Sequence, residues 1–368
     1  MVSEHRREIK VDGFELRSGE EIPLTIEFET YGDLDRSRSN AILICHSLTH
    51  SSHVAKHDED DEEGWWTSMV GPGKYIDTEE YFVVCVNVPG SCYGTTGPSS
   101  IDPGNGEPYG SDFPEITISD MVRAQKLVID HLEIDELKSI IGGSIGGQQA
   151  LEWSKLYPSI VKSIIPIATG ARVSPMMLGF GYISQNAIRS DPNWSGGDYY
   201  GGNRSPEYGL QIARQIGHLT YLSREGVERK FGREKSQEES DHEFEIESYL
   251  RYQGEKFVER FDPNSYLYLT EAMHNFDLSK GYSSDFQAVK EFDGLVYLMS
   301  IDSDWHFTVE ESEYLAEVYE KTDSLVMHDT IKSPYGHDAF LVENEKLGKK
   351  IRLFLEYMFE GEFDSSVN

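Results

Sequence analysis

The apolar residues of this chain gather in short runs almost unbroken in Ile, Val and Leu, and no other feature narrows the fold as much. The runs fall at 41–45, 81–87, 139–141, 163–168, 295–299 and 324–327. A strand with one wet face alternates apolar and polar residues. An unbroken run instead suits a strand covered on both faces, as in a parallel sheet flanked by helices. Helical stretches lie between several of the runs. One spans 119–132, and another spans 147–156 and stops ahead of Pro158, where a helix tends to end. A last helix is expected over 344–358. Strand and helix in alternation imply an α/β fold with a mostly parallel central sheet. The stretch 9–30 has alternating character and is expected to form antiparallel strands at the sheet edge.

From about residue 173 to 291 this rhythm breaks. The segment reads as helical and irregular, with a Gly/Asn/Tyr-rich stretch at 193–209 and a charged stretch at 224–247. The economical interpretation is an α/β core of residues 1–172 and 292–368 carrying a helical lid at 173–291. A length of 368 residues suits one large domain with such an insertion. Apolar residues make up 38% of the chain, and 21 Tyr and 17 Phe add bulk, so a sizeable core can be buried.

The formal charge of −32 weighs against several partners. Such a surface repels a phosphate backbone, so nucleic acid is not an expected ligand, and anionic membranes are disfavoured for the same reason. A compact, strongly acidic protein is relieved of self-repulsion by screening, so adaptation to high salt is a further expectation. The three cysteines, Cys45, Cys85 and Cys92, are too few and too odd a set for a disulfide framework. Cys45 and Cys85 sit inside apolar runs and are expected as buried thiols. The polar start of the chain does not resemble a signal peptide, and no run has the apolar length to span a bilayer. A cytoplasmic protein is expected.

The chemistry is carried by Gly142-Gly143-Ser144-Ile145-Gly146, a G-x-S-x-G motif with a β-branched run before it and an Ala/Leu/Trp-bearing helix after it. A serine on a tight strand-to-helix turn needs flanking glycines, because a Cβ there would strike the strained backbone. The turn lifts the hydroxyl above the sheet and sets it at a helix N-terminus, where developing negative charge is favoured. Without this context the motif would be an ordinary Gly-rich turn. With it, Ser144 is the expected nucleophile of an α/β-hydrolase fold.

A serine hydroxyl needs a histidine to take its proton and a carboxylate to hold that histidine. In this fold the order along the chain is Ser, then Asp or Glu, then His, each after a strand. Asp302 and Asp304 follow the run 295–299, and His337 lies in a Gly-bounded loop after the run 324–327. Spacing does not separate Asp302 from Asp304. The two oxyanion-hole donors are expected from the backbone N–H of Ile145 and, in the loop after the run 41–45, of Leu48.

Many further stretches, in order, make the chain similar to the homoserine O-acyltransferase (homoserine O-acetyltransferase) family, α/β-hydrolase-fold enzymes of methionine biosynthesis. They include Gly64-Trp65-Trp66, Met69-Val70-Gly71-Pro72-Gly73-Lys74, Gly94-Thr95-Thr96-Gly97-Pro98, the region 142–153, Gly196-Gly197-Asp198-Tyr199-Tyr200, Ser303-Asp304-Trp305 and Tyr335-Gly336-His337-Asp338. The resemblance implies the triad Ser144, Asp304 and His337, and homoserine held by Arg214, Tyr221 and Asp338. Spacing agrees on one point: Arg214, His218 and Tyr221 share a face of one helix. The resemblance further implies a ping-pong reaction with acetyl-CoA or succinyl-CoA as co-substrate, no permanently bound cofactor, and a homodimer. His50, where the family usually has Gly, Pro89-Gly90-Ser91-Cys92 and Gln148 depart from the family pattern near the acyl and substrate pockets. They leave open the donor, acetyl or succinyl, and the acceptor, homoserine or serine. An esterase with the same triad is the rival reading.

Two weaker signals are set aside. His50, His53 and His57 precede the acidic run 58–63, but the expected setting is a solvated loop without a metal. Gly71-Pro72-Gly73-Lys74 lacks the spacing of a phosphate-binding loop.

Overall fold

A computed structural model describes residues 5–235 and 244–360. Its main sheet has eight strands in the order β1-β2-β6-β3-β7-β8-β9-β10. They are β1 (Arg7–Glu15), β2 (Glu21–Tyr31), β3 (Ala41–Cys45), β6 (Phe82–Val86), β7 (Leu137–Gly143), β8 (Ser163–Ile167), β9 (Leu295–Ile301) and β10 (Leu325–Ile331). The two-residue strands β4 (Val70–Gly71) and β5 (Ile76–Asp77) pair separately. From β6 to β10 all pairings are parallel, while β1–β2 and β2–β6 are antiparallel. The edge expected over 9–30 is therefore the β1–β2 ribbon.

Both faces of the sheet are covered, which accounts for the unbroken runs. In β3, Ala41, Leu43 and Cys45 join one apolar cluster, while Ile42 and Ile44 join another on the opposite face. The first cluster also holds Met121 and Val122 of α1 (Ile118–His131) and Leu151 and Trp153 of α2 (Ile145–Leu156). The second takes Leu347, Ile351 and Phe354 of the C-terminal helix Asn344–Glu360. At about 25 cal/mol per Å² of apolar surface, such two-sided burial is the dominant favourable term. Cys45 and Cys85 are buried and Cys92 is partly so, all as free thiols.

β10 departs from expectation. The run at 324–327 suggested a strand covered on both faces, but β10 is the sheet edge. It leaves Leu325 and Met327 exposed and continues through the polar His328-Asp329-Thr330. An edge strand needs no second apolar face, so its polar half escaped the apolar pattern.

Between β8 and β9 the chain leaves the sheet for, among the described residues, six α-helices: α3 (Pro175–Arg189), α4 (Glu207–Tyr221), α5 (Arg224–Phe231), α6 (Glu245–Val258), α7 (Pro263–His274) and α8 (Asp285–Val289). Ser174 caps α3 and Asp262 caps α7, each accepting a backbone N–H bond and each followed by a proline at the first helical position. After β9 come α9 (Val309–Tyr319), then α10 (Ala339–Val342) and α11 (Asn344–Glu360).

Candidate active site

Ser144 sits between β7 and α2 with φ 60° and ψ −124°, a left-handed conformation that strains a residue with a Cβ. Its N–H donates to the Ile167 carbonyl at 2.9 Å, and its own carbonyl accepts the Thr169 hydroxyl at 2.8 Å. These bonds hold the turn in its strained form. The flanking glycines are sterically required. A Cβ on Gly146 would fall 2.2 Å from the Cys45 carbonyl oxygen, and one on Gly142 would fall 2.3 Å from the Gly146 carbonyl oxygen.

The carboxylate and the imidazole leave the sheet from neighbouring strands. Asp304 follows β9, and His337 lies in a single 3₁₀ turn, Gly336–Asp338, after β10. His337 Nδ1 is 2.7 Å from Asp304 Oδ2, with both side chains buried. Asp304 Oδ1 accepts the backbone N–H groups of His306 at 2.8 Å and Phe307 at 3.2 Å, so both carboxylate oxygens are fixed. Asp302 points elsewhere: its Oδ1 accepts the Ser333 N–H at 2.9 Å and clamps the two loops together. Burial alone would lower the His337 pKa. The Asp304 charge and hydrogen bond outweigh it, and with Asp338 they hold it above the usual value.

Ser144 and His337 line one cavity of about 100 Å³, and Leu48, Arg214, Tyr221 and Asp338 line it too. No hydrogen bond joins Ser144 to His337 in this conformation, a looseness common before substrate binds. Ile145 is not part of the cavity wall, but as the first residue of α2 its N–H has no intrahelical acceptor. The Leu48 N–H makes no backbone hydrogen bond among the described residues. A roomier cleft of about 450 Å³, near Arg17, Glu152 and Asp277, contains none of these groups.

The inserted helices supply one wall. Arg214 and Tyr221 of α4 reach the cavity, whereas His218 on the same face turns to the Tyr249 hydroxyl at 3.3 Å. The Arg214 guanidinium stacks over Phe257 with Cζ 4.7 Å from the ring centre. Its Nε is buried without a hydrogen bond, and among the described residues it has no carboxylate within ion-pair distance. Burial raises the Asp338 carboxyl pKa, although His337 and Arg214 pull it down. The cavity thus offers a half-buried Arg214, its Nε enclosed, and a half-buried Asp338 carboxyl.

Two further histidines line the cavity: His306, not assigned there from sequence, and His50, which the departure from the family pattern set near the pockets while its loop read as solvated. His50 was expected in a solvated loop, but it is enclosed against Trp65, with its Nδ1 2.5 Å from Ser47 Oγ. Burial, with Arg260 adding repulsion, pushes its pKa down to about 3. His306 is held well below the usual value by burial and by His337. Their positions beside Leu48 and Asp304 in the same loops were the available signals. His53 and His57 are also only partly exposed, packed toward Glu29 rather than solvated.

A family model described as the alpha/beta hydrolase fold matches residues 40–343. A homoserine O-acetyltransferase of Haloferax gibbonsii is 48% identical over 368 residues, covering 95% of this chain and 88% of that protein. The crystal structure of homoserine O-acetyltransferase from Bacillus anthracis superposes with a TM-score of 0.88 at 31% identity, covering 95% of this chain and 97% of that one. Esterase E22 is similar at a TM-score of 0.86 and 27% identity, covering 95% and 99%.

Proposed function

This chain belongs to the homoserine O-acetyltransferase family of the α/β hydrolase fold, and from that membership we propose that it moves an acetyl group from acetyl-CoA to the hydroxyl of L-homoserine, in methionine biosynthesis. One observation carries the residue roles. A single small cavity is lined by Ser144, by the His337 that Asp304 holds, and by the Arg214 guanidinium and the Asp338 carboxyl.

In this reading Ser144 Oγ attacks the thioester carbonyl while His337 takes the hydroxyl proton. The oxyanion is met by the N–H groups of Leu48 and Ile145. Collapse expels the CoA thiolate, which receives the proton from His337 and leaves as the thiol. Homoserine then binds with its carboxylate on Arg214, its ammonium toward Asp338, and Tyr221 closing the pocket. His337 takes the proton of its side-chain hydroxyl, the alkoxide attacks acetyl-Ser144, and the proton returns to Ser144 Oγ. The chemistry needs no cofactor held between turnovers.

Acetyl is favoured over succinyl because, among the described residues, Arg214 is the one Arg or Lys lining the cavity, and in this reading homoserine's carboxylate already claims it. Transfer is favoured over hydrolysis by the 48% identity to an acetyltransferase against 27% to esterase E22, and the helices 173–291, read as a lid over a core of 1–172 and 292–368, would restrict water at the acyl-enzyme. The co-substrate points to a cytoplasmic enzyme, and among the described residues no helix is long and apolar enough to cross a membrane. A homodimer is supported by the outward apolar side chains Met176, Tyr182 and Ile183 of α3 and Leu219 of α4.

The test measures CoA release with acetyl- or succinyl-CoA crossed with homoserine or serine, for wild type and Ser144→Ala. The reading expects release with acetyl-CoA and homoserine, lost in the variant. Equal release without any acceptor would point to an esterase.

A further inference from the structure

Away from the catalytic cavity, the histidines expected in a solvated loop meet a buried carboxylate. Glu29 lies on β2, paired across the sheet with Cys85 of β6, and its side chain is completely buried. Its Oε2 is 3.0 Å from His53 Nδ1 and 3.0 Å from His57 Nε2. The three ligand-capable atoms all lie within 4.8 Å of one another. Its second oxygen, Oε1, is buried with no hydrogen-bond partner and faces Arg6 Nε only at 3.6 Å.

We propose that Glu29, His53 and His57 form a binding site for a borderline divalent transition metal of the Zn²⁺ kind. Two imidazoles and one carboxylate are the donor set such ions prefer, whereas Mg²⁺ and Ca²⁺ favour all-oxygen shells. Metal–ligand bonds of roughly 2.0–2.2 Å put neighbouring ligand atoms about 3–3.5 Å apart, which the two oxygen–nitrogen distances already approach. The two nitrogens, no more than 4.8 Å apart, would close by up to about 1–2 Å, and both side chains are partly exposed.

The surroundings fit the same assignment. His53 Nε2 lies 2.9 Å from the Glu62 carbonyl oxygen, the outer bond that commonly fixes the tautomer of a ligating histidine and leaves Nδ1 for the metal. His57 is sandwiched between the rings of Tyr31 at 4.3 Å and His5 at 4.1 Å, so its orientation is set before any ion arrives. Arg6 opposes a cation here. The acidic run 58–63 beginning directly after His57 counters it, in a chain already at −32. Entry of the ion displaces the protons now lying between the imidazoles and Oε2, so uptake releases protons and weakens in acid.

The segment so fastened is continuous with the loop that presents Leu48. Tyr31, whose hydroxyl donates to Glu29 Oε2 at 2.8 Å, also accepts the Val54 N–H at 3.0 Å. The ion would act on stability, as a rivet between β2 and residues 46–57, and take no part in acyl transfer.

The experiment uses the full-length protein with any histidine tag removed, stripped by chelator and dialysed against Zn²⁺, with Co²⁺ as a spectroscopic probe. The expected result is one equivalent bound, a Co²⁺ visible spectrum, a higher melting temperature, and at least tenfold weaker binding in His57→Ala and in Glu29→Gln. Circular dichroism checks that each variant is folded, and His53→Ala serves as the second variant if one is not. Binding no tighter in wild type than in the folded variants, or none at all, would overturn the assignment and leave a network held by protons alone.

Discussion

The imidazole of His306 lies nearly flat against that of His337, ring centroids 4.7 Å apart and planes 22° from parallel. One ring is held neutral by burial, and the other is held toward its protonated form by Asp304. In the proposed reaction the pair would divide its work: His337 carries the proton, and His306 braces it without competing for the charge. His306→Leu keeps the packing and is expected to retain most of kcat. His306→Lys sets a cation against the imidazolium and is expected to lose activity about 10²-fold or more, the scale of disrupting general acid–base catalysis. Comparable kcat in both variants would remove the bracing role.

The pH profile should report His337. Its pKa is raised in the folded protein, and a general base must be neutral, so activity falls as pH drops through that raised value. The acid limb of kcat/KM is expected above the ordinary histidine range of about 6.5. Asp304→Asn removes the charge that lifts the pKa, so the limb should move to lower pH while kcat falls by roughly 10³–10⁴, as when a triad carboxylate is lost. A limb unmoved by that substitution would separate Asp304 from the base.

Arg214 should matter in only one half of the reaction. Arg214→Ala deletes the guanidinium proposed for homoserine's carboxylate. Losing a charged hydrogen bond of about 1.5–3 kcal/mol corresponds to roughly 10–150-fold in kcat/KM for homoserine. The burst of CoA released from acetyl-CoA alone should be close to wild type. An equal loss in that burst would place Arg214 on the donor side instead.

The elbow glycine is testable by stability. Gly146→Ala drives a Cβ to 2.2 Å from a backbone oxygen that is fixed within the sheet. An overpacking penalty of about 1–3 kcal/mol is expected in denaturant melts, with activity lost together with it. Wild-type stability would mean that the turn relaxes freely.

The acidic surface predicts a response to salt. Screening of 65 Asp and Glu against 33 Lys and Arg should raise the melting temperature as NaCl increases, and a neutral osmolyte at equal osmolality should not reproduce the rise in full. A melting temperature highest in salt-free buffer would remove the case for high-salt adaptation.

Much of this was legible in the chain. The runs of β3 and β6 announced strands covered on both faces, and the glycines around Ser144 announced the elbow because steric need leaves a local mark. Asp302 and Asp304 could not be told apart, since both follow β9. What separates them is a hydrogen bond from Ser333, on a loop some thirty residues on. Arg214 by spacing alone reads as a solvated helix charge, and only the packing of α4 and α6 sets it over Phe257. His53 and His57 looked solvated because their partner, Glu29, lies on a strand earlier in the chain and hidden from any local pattern.

The six helices depart from the end of β8 and rejoin at the start of β9, so the excursion interrupts no strand of the sheet. The proposed acceptor contacts of Arg214 and Tyr221 are thereby written on a stretch of chain separate from the one that carries Ser144, Asp304 and His337, while that of Asp338 stays beside His337. Such an arrangement lets one chemistry be re-addressed to new alcohols largely by rewriting the excursion, with the reacting groups left where the sheet anchors them.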